Sequence, residues 1–403
     1  SSATVCGSYG TSDGLIRSYA SGNYRYLTYM FNNSDNLYTD NCTSDTYNSI
    51  ESCTNSGTKE WRVYSADLNT LYYDPNQTFT PWIGPCLNNG TACANASFTS
   101  ARSNPDQSQS GYSYTRNLSG NVYEVWIDDR GFNPSDQRPL RAASVNANST
   151  PNGVIDLWDS HVRVQLNAAN AQVYSITYSP NVLGLNATQT LRATLTSTTA
   201  CYNVLGSKDL VTQVFNGSLS YTSTGQPGCR TLTEARSNFA NWYQYYRRRA
   251  FVAKNAIGSV INRFGNYRYG LNVINNQLFI QMPNSSATDY STQNQNLVNS
   301  LYGYTWQALG TPLRTGLARA GQYYNGTLSN TSSPIIYPCQ QNFTVLVTDG
   351  FWNDTTGPSY VGDSDQDGIS QTLADVARYY YITDLSSMKS YPQRMIRQPI
   401  NIW

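Results

Sequence analysis

The chain has 403 residues, of which 26 are basic and 25 acidic, so its formal net charge is only +1. Charged residues make up 13% of the sequence, about half the share usual in soluble domains, and aromatic residues make up another 13%. The neutral balance argues against nucleic-acid binding, and the aromatic content argues against a disordered chain. The lack of a long apolar run argues against a membrane-spanning helix.

The first 230 residues are predicted to be rich in short β-strands. Residues that favour strands cluster or alternate in short segments, and polar turns of Gly, Asn, Asp and Pro separate these segments. The predicted strands cover residues 24–31, 60–64, 122–127, 162–165 and 171–178. This pattern indicates a β-rich region over 1–230.

Eight cysteines accompany a single histidine, His161, and no two cysteines have the C-x-x-C spacing of a zinc site. Short gaps along the chain suggest local disulfide bonds, with the two remaining cysteines forming a fourth pair. The predicted pairs are Cys42–Cys53, Cys86–Cys93, Cys201–Cys229 and Cys6–Cys339. Disulfide bonds indicate an oxidising compartment, which favours a secreted protein.

After Cys229 the sequence predicts helices that alternate with apolar strands. Thr231 and Glu234 have the spacing of a capping box, and apolar residues then recur every three or four positions, which predicts one helix over 234–264. Further strands are predicted at 267–274 and 278–282, and further helices at 293–302, 311–324 and 372–381. The apolar run 343–347 is predicted to be a strand buried on both faces. This alternation predicts an α/β fold with a mainly parallel sheet.

Two residues at one edge of that sheet form a first candidate metal site. Asp349 follows the apolar run 343–347, and Thr311 precedes a predicted helix. Ligands of such sheets bind at the carboxyl ends of the strands, and a hydroxyl with a carboxylate suits Mg²⁺. The alternative is that each residue only caps a turn or a helix.

An acidic segment forms a second candidate metal site. Asp363, Asp365 and Asp367 alternate along the chain and precede Gly368, as in the first half of an EF-hand calcium loop. Gln371 stands at the ninth position, but the twelfth holds Ala374 instead of the usual glutamate. The segment predicts a Ca²⁺ site over 363–371, and the alternative is a solvated acidic turn before a helix.

A series of motifs resembles one family. Gly310-Thr-Pro-Leu-Arg314 and Val345-Leu-Val-Thr-Asp-Gly350 resemble the second and third metal-site motifs of von Willebrand factor A domains. Other segments occur in the family's order and lie at residues 69–75, 79–82, 239–247, 338–344, 348–353 and 372–381. Together they resemble the PilY-type (PilC/PilY) tip-associated adhesin and assembly proteins of bacterial type IV pili. The resemblance covers nearly all of 239–385 and a patch near 69–82.

The resemblance implies both a fold and a function. Residues 231–403 would form a Rossmann-like von Willebrand factor A domain, and residues 1–230 a large, disulfide-containing insertion. The protein would be a non-enzymatic, extracellular pilus-tip factor that caps and primes pilus assembly with minor pilins. It would also attach to a surface or to a host-cell receptor, either protein or glycan. The alternative is a secreted carbohydrate-active or other hydrolytic enzyme built on the tyrosine-rich first half.

The sequence departs from the family pattern in one motif. The family's A domain opens with a strand that ends in Asp-x-Ser-x-Ser and supplies metal ligands. Here Asp106-Gln-Ser108-Gln-Ser110 has that form, but it lies in a polar stretch and is interpreted as coincidence. We expect that the opening strand either lies before Ser1 or has been lost in this member of the family. Either case leaves Thr311 and Asp349 as a partial Mg²⁺ site. The family's propeller-like C-terminal region is missing as well, so we expect an N-terminal fragment.

Overall fold

The structure is a computed structural model. It describes residues 65–67, 69–84, 92–105, 115–127, 160–178, 187–202, 205–206, 221–222, 228–287, 289–304, 309–338, 340–348, 350–383, 385 and 401–402. The chain divides into two compact units, Ser1–Leu87 with Thr91–Ala256 and Asn88–Gly90 with Ile257–Trp403. The predicted domain boundary between residues 230 and 231 stays a prediction, because a division into compact units does not show where an evolutionary domain begins.

A four-stranded antiparallel sheet is the main β-structure described in the first unit. Short strands β1 (Ala101–Arg102) and β2 (Thr115–Arg116) pair with each other before it, and β7 (Cys201–Tyr202) and β8 (Tyr221–Thr222) pair after it. The sheet itself contains β3 (Asn121–Ile127), β4 (Ser160–Leu166), β5 (Ala171–Tyr178) and β6 (Ala187–Leu195), in chain order. The strands predicted at 122–127, 162–165 and 171–178 are confirmed, and those at 24–31 and 60–64 lie outside the described residues.

Alternation along β4 explains why this segment forms a strand with one buried face. Val162, Val164 and Leu166 are fully buried, whereas Arg163 and Gln165 between them reach solvent. Successive side chains of a strand point to opposite faces, so the apolar set faces the core and the polar set faces water. Arg163 lies opposite Glu124 on β3, and its Nη2 forms an ion pair with Glu124 Oε1 at 2.6 Å.

Helix α1 (Leu232–Tyr245) begins at the predicted capping box. The Thr231 backbone N–H donates to Glu234 Oε2 at 2.8 Å, and the Glu234 N–H donates to Thr231 Oγ1 at 3.2 Å. Aromatic side chains of α1 pack against Tyr73, whose ring centroid lies 5.0 Å from that of Phe239 and 5.6 Å from that of Trp242. Edge-to-face rings of this kind stabilise a core beyond the area that they bury.

The prediction of a single helix over 234–264 is wrong. The structure has two helices, α1 and α2 (Arg249–Arg263), with a break at 246–248. The reason is Arg247, which is fully buried and donates hydrogen bonds to the backbone carbonyls of Tyr243 and Ser103. A buried guanidinium must be hydrogen-bonded, and the break allows this side chain to reach both carbonyls.

One predicted disulfide bond is confirmed by the structure. Cys201 on β7 is joined to Cys229, with a Cα–Cα distance of 5.6 Å and a separation of 28 residues along the chain. Cys93 is also disulfide-bonded. The remaining cysteines lie outside the described residues and are Cys6, Cys42, Cys53, Cys86 and Cys339. Their predicted pairings stay predictions.

The second unit combines helices with short strands. Strands β9 (Leu271–Asn272) and β10 (Phe279–Ile280) form an antiparallel hairpin, and β11 (Val345–Leu346) pairs in parallel with β12 (Asn401–Ile402). The helices that follow α2 are α3 (Ser291–Gly303), α4 (Leu313–Tyr324) and α5 (Leu373–Ile382), with a 3₁₀ helix at Ser359–Val361. The fold therefore combines helices with sheets, as the sequence predicted.

Helices α4 and α5 share an apolar core in this unit. Leu317 and Tyr324 of α4 pack with Val376 and Tyr380 of α5. The approach is close at Gly321, because a Cβ atom added there would overlap the Tyr380 ring. The absence of a side chain at Gly321 is therefore what allows the two helices to meet.

The prediction that residues 343–347 form a strand buried on both faces is wrong. Phe343 is 51% exposed, Val345 66% and Val347 56%, whereas Leu346 is buried. Only two residues of this run pair as a strand, and their partner is β12. Within the described residues, the expected mainly parallel sheet is limited to this pair. None of the helices described in the structure has the length and apolar character that a membrane span requires.

Candidate metal centre

The acidic loop, residues 363–371, connects the 3₁₀ helix to α5 and brings carboxylates together. Asp363, Asp365 and Asp375 each offer one carboxylate oxygen, and these three atoms lie within 4.8 Å of one another. Asp367 belongs to the same loop, because its backbone N–H donates to Asp363 Oδ1 at 3.1 Å. The structure therefore brings two of the predicted loop aspartates, Asp363 and Asp365, together with Asp375, while Asp367 is tied to Asp363 through its backbone N–H.

Aspartate side chains hold the loop by accepting hydrogen bonds from its own backbone. Asp363 Oδ2 accepts from the Gly368 N–H at 3.0 Å, and Asp367 Oδ1 accepts from the Ile369 N–H at 2.8 Å. Asp side chains favour turns for this reason, since they bond to backbone groups a few residues further on. Gly368 has a φ of 89°, a left-handed conformation in which glycine is favoured.

Asp375 is the carboxylate that sequence reasoning did not include. It lies in the first turn of α5, where its Oδ2 accepts from the Thr372 N–H at 2.8 Å and the Asp375 N–H donates to Thr372 Oγ1 at 3.0 Å. Its Oδ1 accepts from the Asp365 N–H at 3.1 Å, and the residue is fully buried. The EF-hand pattern directs attention to position twelve, which is Ala374. The capping-box spacing from Thr372 to Asp375 was the signal that could have identified it.

Two neighbouring carboxyl groups have pKa values shifted in opposite directions. Desolvation raises the pKa of Asp365, and the negative charges of Asp367, Asp375 and Asp363 raise it further, against a hydrogen bond from the Asp367 N–H. The pKa of Asp375 is lowered, because hydrogen bonds from Thr372, Asp365 and Ser364 outweigh its desolvation. Asp375 therefore ionises at a lower pH than Asp365.

Such a cluster has the chemistry of a site for a hard cation. Calcium takes six to eight oxygen ligands, mostly from carboxylates and carbonyls. Asp363, Asp365 and Asp375 supply carboxylate oxygens, and among the described residues no Arg or Lys forms an ion pair with them. Desolvation and the repulsion of neighbouring carboxylates together raise the pKa of Asp365, and a bound cation would offset both.

Gln371, the predicted ninth-position ligand, closes the acidic loop. Its backbone N–H donates to the Gly362 carbonyl at 2.8 Å, and its own carbonyl accepts from Arg314 Nη1 at 3.1 Å. Its φ of 64° lies in the left-handed region that is uncommon for residues other than glycine. The structure therefore places Gln371 at the junction of the loop with helix α4.

The first candidate site is described only in part. Thr311 pairs with Asn353 through two hydrogen bonds, one from the Thr311 N–H to Asn353 Oδ1 at 2.5 Å and one from the Asn353 N–H to the Thr311 carbonyl at 3.1 Å. The two motifs at 310–314 and 348–353 are therefore neighbours. Asp349 lies outside the described residues, as do Asp106, Ser108 and Ser110. Whether Thr311 and Asp349 share a metal stays a prediction.

An ion pair that sequence reasoning missed lies beside these motifs. Arg314 Nε contacts Asp354 Oδ1 at 3.1 Å, and Asp354 Oδ2 accepts from the Thr315 N–H at 3.3 Å. Both partners of the ion pair are nearly buried. An arginine inside one motif and an aspartate directly after the other were the only signals in the sequence.

Comparisons with known proteins agree with the motifs. The chain is similar to type IV pilus biogenesis factors of the PilY type, as the motifs predicted. The relatives are proteins named "Type IV pilus biogenesis factor PilY1" from Pseudomonas aeruginosa. The protein of strain PAO1 is 32% identical over 42% of this chain and 18% of its own length. That of strain PAK is 29% identical over 41% and 18%, and that of strain UCBPP-PA14 is 29% identical over 38% and 15%.

The extent of these matches limits what they show. The matched part of the chain spans less than a fifth of the length of each relative. No family model matches the sequence, and no solved structure matches it significantly. The activity and partners of the whole relatives are therefore not established for this chain by similarity.

Proposed function

We propose that this chain acts without catalysis at the tip of a type IV pilus, on the outside of the cell. There it would prime and cap pilus assembly together with minor pilins and attach to a surface or a host-cell receptor, either protein or glycan. The observation that carries the proposal is the similarity to three type IV pilus biogenesis factors. Nothing in the comparisons favours the alternative of a secreted hydrolytic enzyme.

The surface near the acidic loop supports a role in contact. Phe351 is 72% exposed and Trp352, Tyr360 and Ile369 are exposed as well. Exposed aromatic side chains on loops commonly make contacts with partners, because they offer large apolar area with few rotatable bonds. The disulfide bond between Cys201 and Cys229 is in keeping with an oxidising environment outside the cytoplasm.

We also propose that residues 231–403 form a von Willebrand factor A domain, with 1–230 as its insertion. The pairing of Thr311 with Asn353 brings two of its metal-site motifs together, and β11 lies in a parallel pair. The exposed side chains of Phe343, Val345 and Val347 would be covered by further strands of such a sheet. The partial Mg²⁺ site would use Thr311 and Asp349.

The acidic loop is proposed to bind Ca²⁺. Asp363, Asp365, Asp367 and Gln371 are the proposed ligands from the loop, and Asp375 would add a further carboxylate. The support is the convergence of the carboxylate oxygens of Asp363, Asp365 and Asp375. Burial raises the pKa of Asp365, and the neighbouring carboxylates add a repulsion that a cation would relieve.

A genetic replacement tests the function. In P. aeruginosa PAO1, the segment of PilY1 that matches this chain would be exchanged for the corresponding part of the chain. We expect the hybrid to restore surface pili to a strain that lacks PilY1, because the matched segments perform the same task. A hybrid that is secreted and folded but restores no pili would contradict the proposal. A scrambled segment of the same length serves as the control.

A further inference from the structure

Arg314 connects two loops that lie on either side of it. It lies in the first turn of α4 and is 9% exposed. Its Nη1 donates to the Gln371 carbonyl, which ends the acidic loop, at 3.1 Å. Its Nε contacts Asp354 Oδ1 at 3.1 Å, and its Nη2 donates to the Asp354 carbonyl. One rigid guanidinium thus binds the acidic loop and a second loop, residues 350–357, at the same time.

The second loop, which we call the aromatic loop, carries exposed rings. Phe351 and Trp352 lie just before Asp354, and the Trp352 ring has the Arg314 guanidinium carbon 5.5 Å from its centroid. At the other end of this loop, a Cβ atom added to Gly357 would lie 2.5 Å from the Gln371 carbonyl oxygen. The two loops therefore touch each other as well as sharing Arg314.

Gln371 links the acidic loop to Arg314. The Gln371 N–H closes the loop on Gly362, and its carbonyl is held by Arg314. Asp354, held by the same guanidinium, fixes the backbone that follows Trp352. These hydrogen bonds therefore connect the two loops directly, so that ordering or disordering one loop affects the other.

We propose that Arg314 couples the acidic loop to the aromatic loop, so that the order of the first sets the position of Phe351 and Trp352. As a regulatory device this rests on the proposed function, since Ca²⁺ in the acidic loop would be the natural signal. The coupling itself rests on the contacts of Arg314 alone. The coupling makes the exposed aromatic side chains a contact surface whose presentation depends on the loop that we propose to bind Ca²⁺.

Hydrogen exchange of the backbone amides of 350–357, followed by mass spectrometry, tests the coupling. Asp363→Ala removes the acceptor of two acidic-loop amides without touching the aromatic loop. We expect it to speed exchange at 350–357 by about threefold or more in the parent chain. We expect Arg314→Lys to speed exchange at 350–357 by itself. Asp363→Ala should then cause no further increase in that background. Independent, additive effects of the two substitutions would overturn the proposal, as would unchanged exchange after Asp363→Ala.

Two further variants keep this test decisive. Arg319→Lys is the same substitution on the same helix. Because Arg319 lies over the Phe279 ring, the coupling should stay intact in this variant. If Arg314→Lys fails to fold, Asp354→Asn replaces it, because it removes the charged partner of Arg314 at the same size. It should reduce the response to Asp363→Ala, because the ion pair is lost while the bond from Arg314 to the Asp354 carbonyl remains. A response of undiminished size would count against the proposal.

Adding calcium chloride tests whether Ca²⁺ acts through this coupling. Ca²⁺ should slow exchange at 350–357 in the parent chain but not in Arg314→Lys, although calorimetry should show that both bind the ion. If Ca²⁺ binds and exchange at 350–357 does not change, the coupling is overturned. If calorimetry shows no binding to the parent chain, the proposed metal centre is wrong, and the response to Asp363→Ala still decides the coupling.

Discussion

Asn238 Oδ1 accepts a hydrogen bond from the backbone N–H of Phe79 at 2.7 Å, across 159 residues of sequence. The same amide donates to the Gln77 carbonyl at 2.9 Å. One turn further along α1, Asn241 donates to the Phe79 carbonyl and accepts from the Ala96 N–H. Side-chain amides on one helix thus satisfy backbone groups that have no strand partner among the described residues.

The first prediction concerns this arrangement. Asn238→Ala should lower the free energy of unfolding by about 1–3 kcal/mol, because buried backbone groups of Gln77 and Phe79 lose their partner. Chemical denaturation measures the change. Asn296→Ala, at an exposed position of α3, is the control and should stay within about 0.5 kcal/mol. Equal effects of the two substitutions would show that the Asn238 contacts contribute nothing.

The second prediction concerns the contact between α4 and α5. Gly321→Ala should destabilise the protein by about 1–3 kcal/mol, because the new methyl group would overlap the Tyr380 ring. Gly350→Ala is the matched control, since a Cβ atom there has nothing within 4 Å. Thermal melts of both variants give the answer. A Gly321→Ala variant as stable as Gly350→Ala would mean that the helices are not packed this closely.

The third prediction concerns pH and Asp375. Its pKa is lowered in the folded protein, so its ionised form stabilises the fold above the unfolded pKa, and this contribution disappears as pH falls through the folded value. Asp375→Asn should therefore lower the melting temperature at neutral pH, and the difference should shrink on acidification to about pH 3. A difference that is the same at both pH values would contradict the assignment of this role to the carboxylate.

The fourth prediction concerns Ca²⁺ binding and pH. Because the pKa of Asp365 is raised, protons compete with a cation for this carboxylate over a higher pH range than for an ordinary aspartate. Ca²⁺ affinity measured by calorimetry should therefore fall between about pH 7.5 and about pH 4, which is near the pKa of an ordinary aspartate. Asp365→Asn should weaken binding at both values and flatten this pH dependence. An affinity that does not vary with pH would exclude Asp365 as a ligand.

Local patterns in the sequence predicted local structure well. The capping box at Thr231 and three of the four strands of the central sheet depend on neighbouring residues and are confirmed, whereas β6 was not predicted. The break after α1 could not be predicted, because Arg247 interrupts the helix to reach the carbonyl of Ser103, which is 144 residues away. A helical period describes one face of a segment and carries no information about such a partner.

The candidate metal centre likewise combines a local pattern that the sequence showed with distant contacts that it did not show. The three alternating aspartates were visible because the EF-hand spacing is local. Asp375 enters through the start of the next helix, and Arg314 reaches the loop from 57 residues away.

Apolar composition alone also misled at 343–347, where Phe343 and Val345 are exposed despite a run that is typical of buried strands. Burial depends on what the rest of the sheet supplies.

The position of the protein in native pili tests the central claim most directly. Sheared pili from the source cells would be labelled with gold-conjugated antibody against this chain and viewed by electron microscopy. Our account predicts label at one end of each filament. Label spread along the shaft, or protein found only free in the medium, would contradict it.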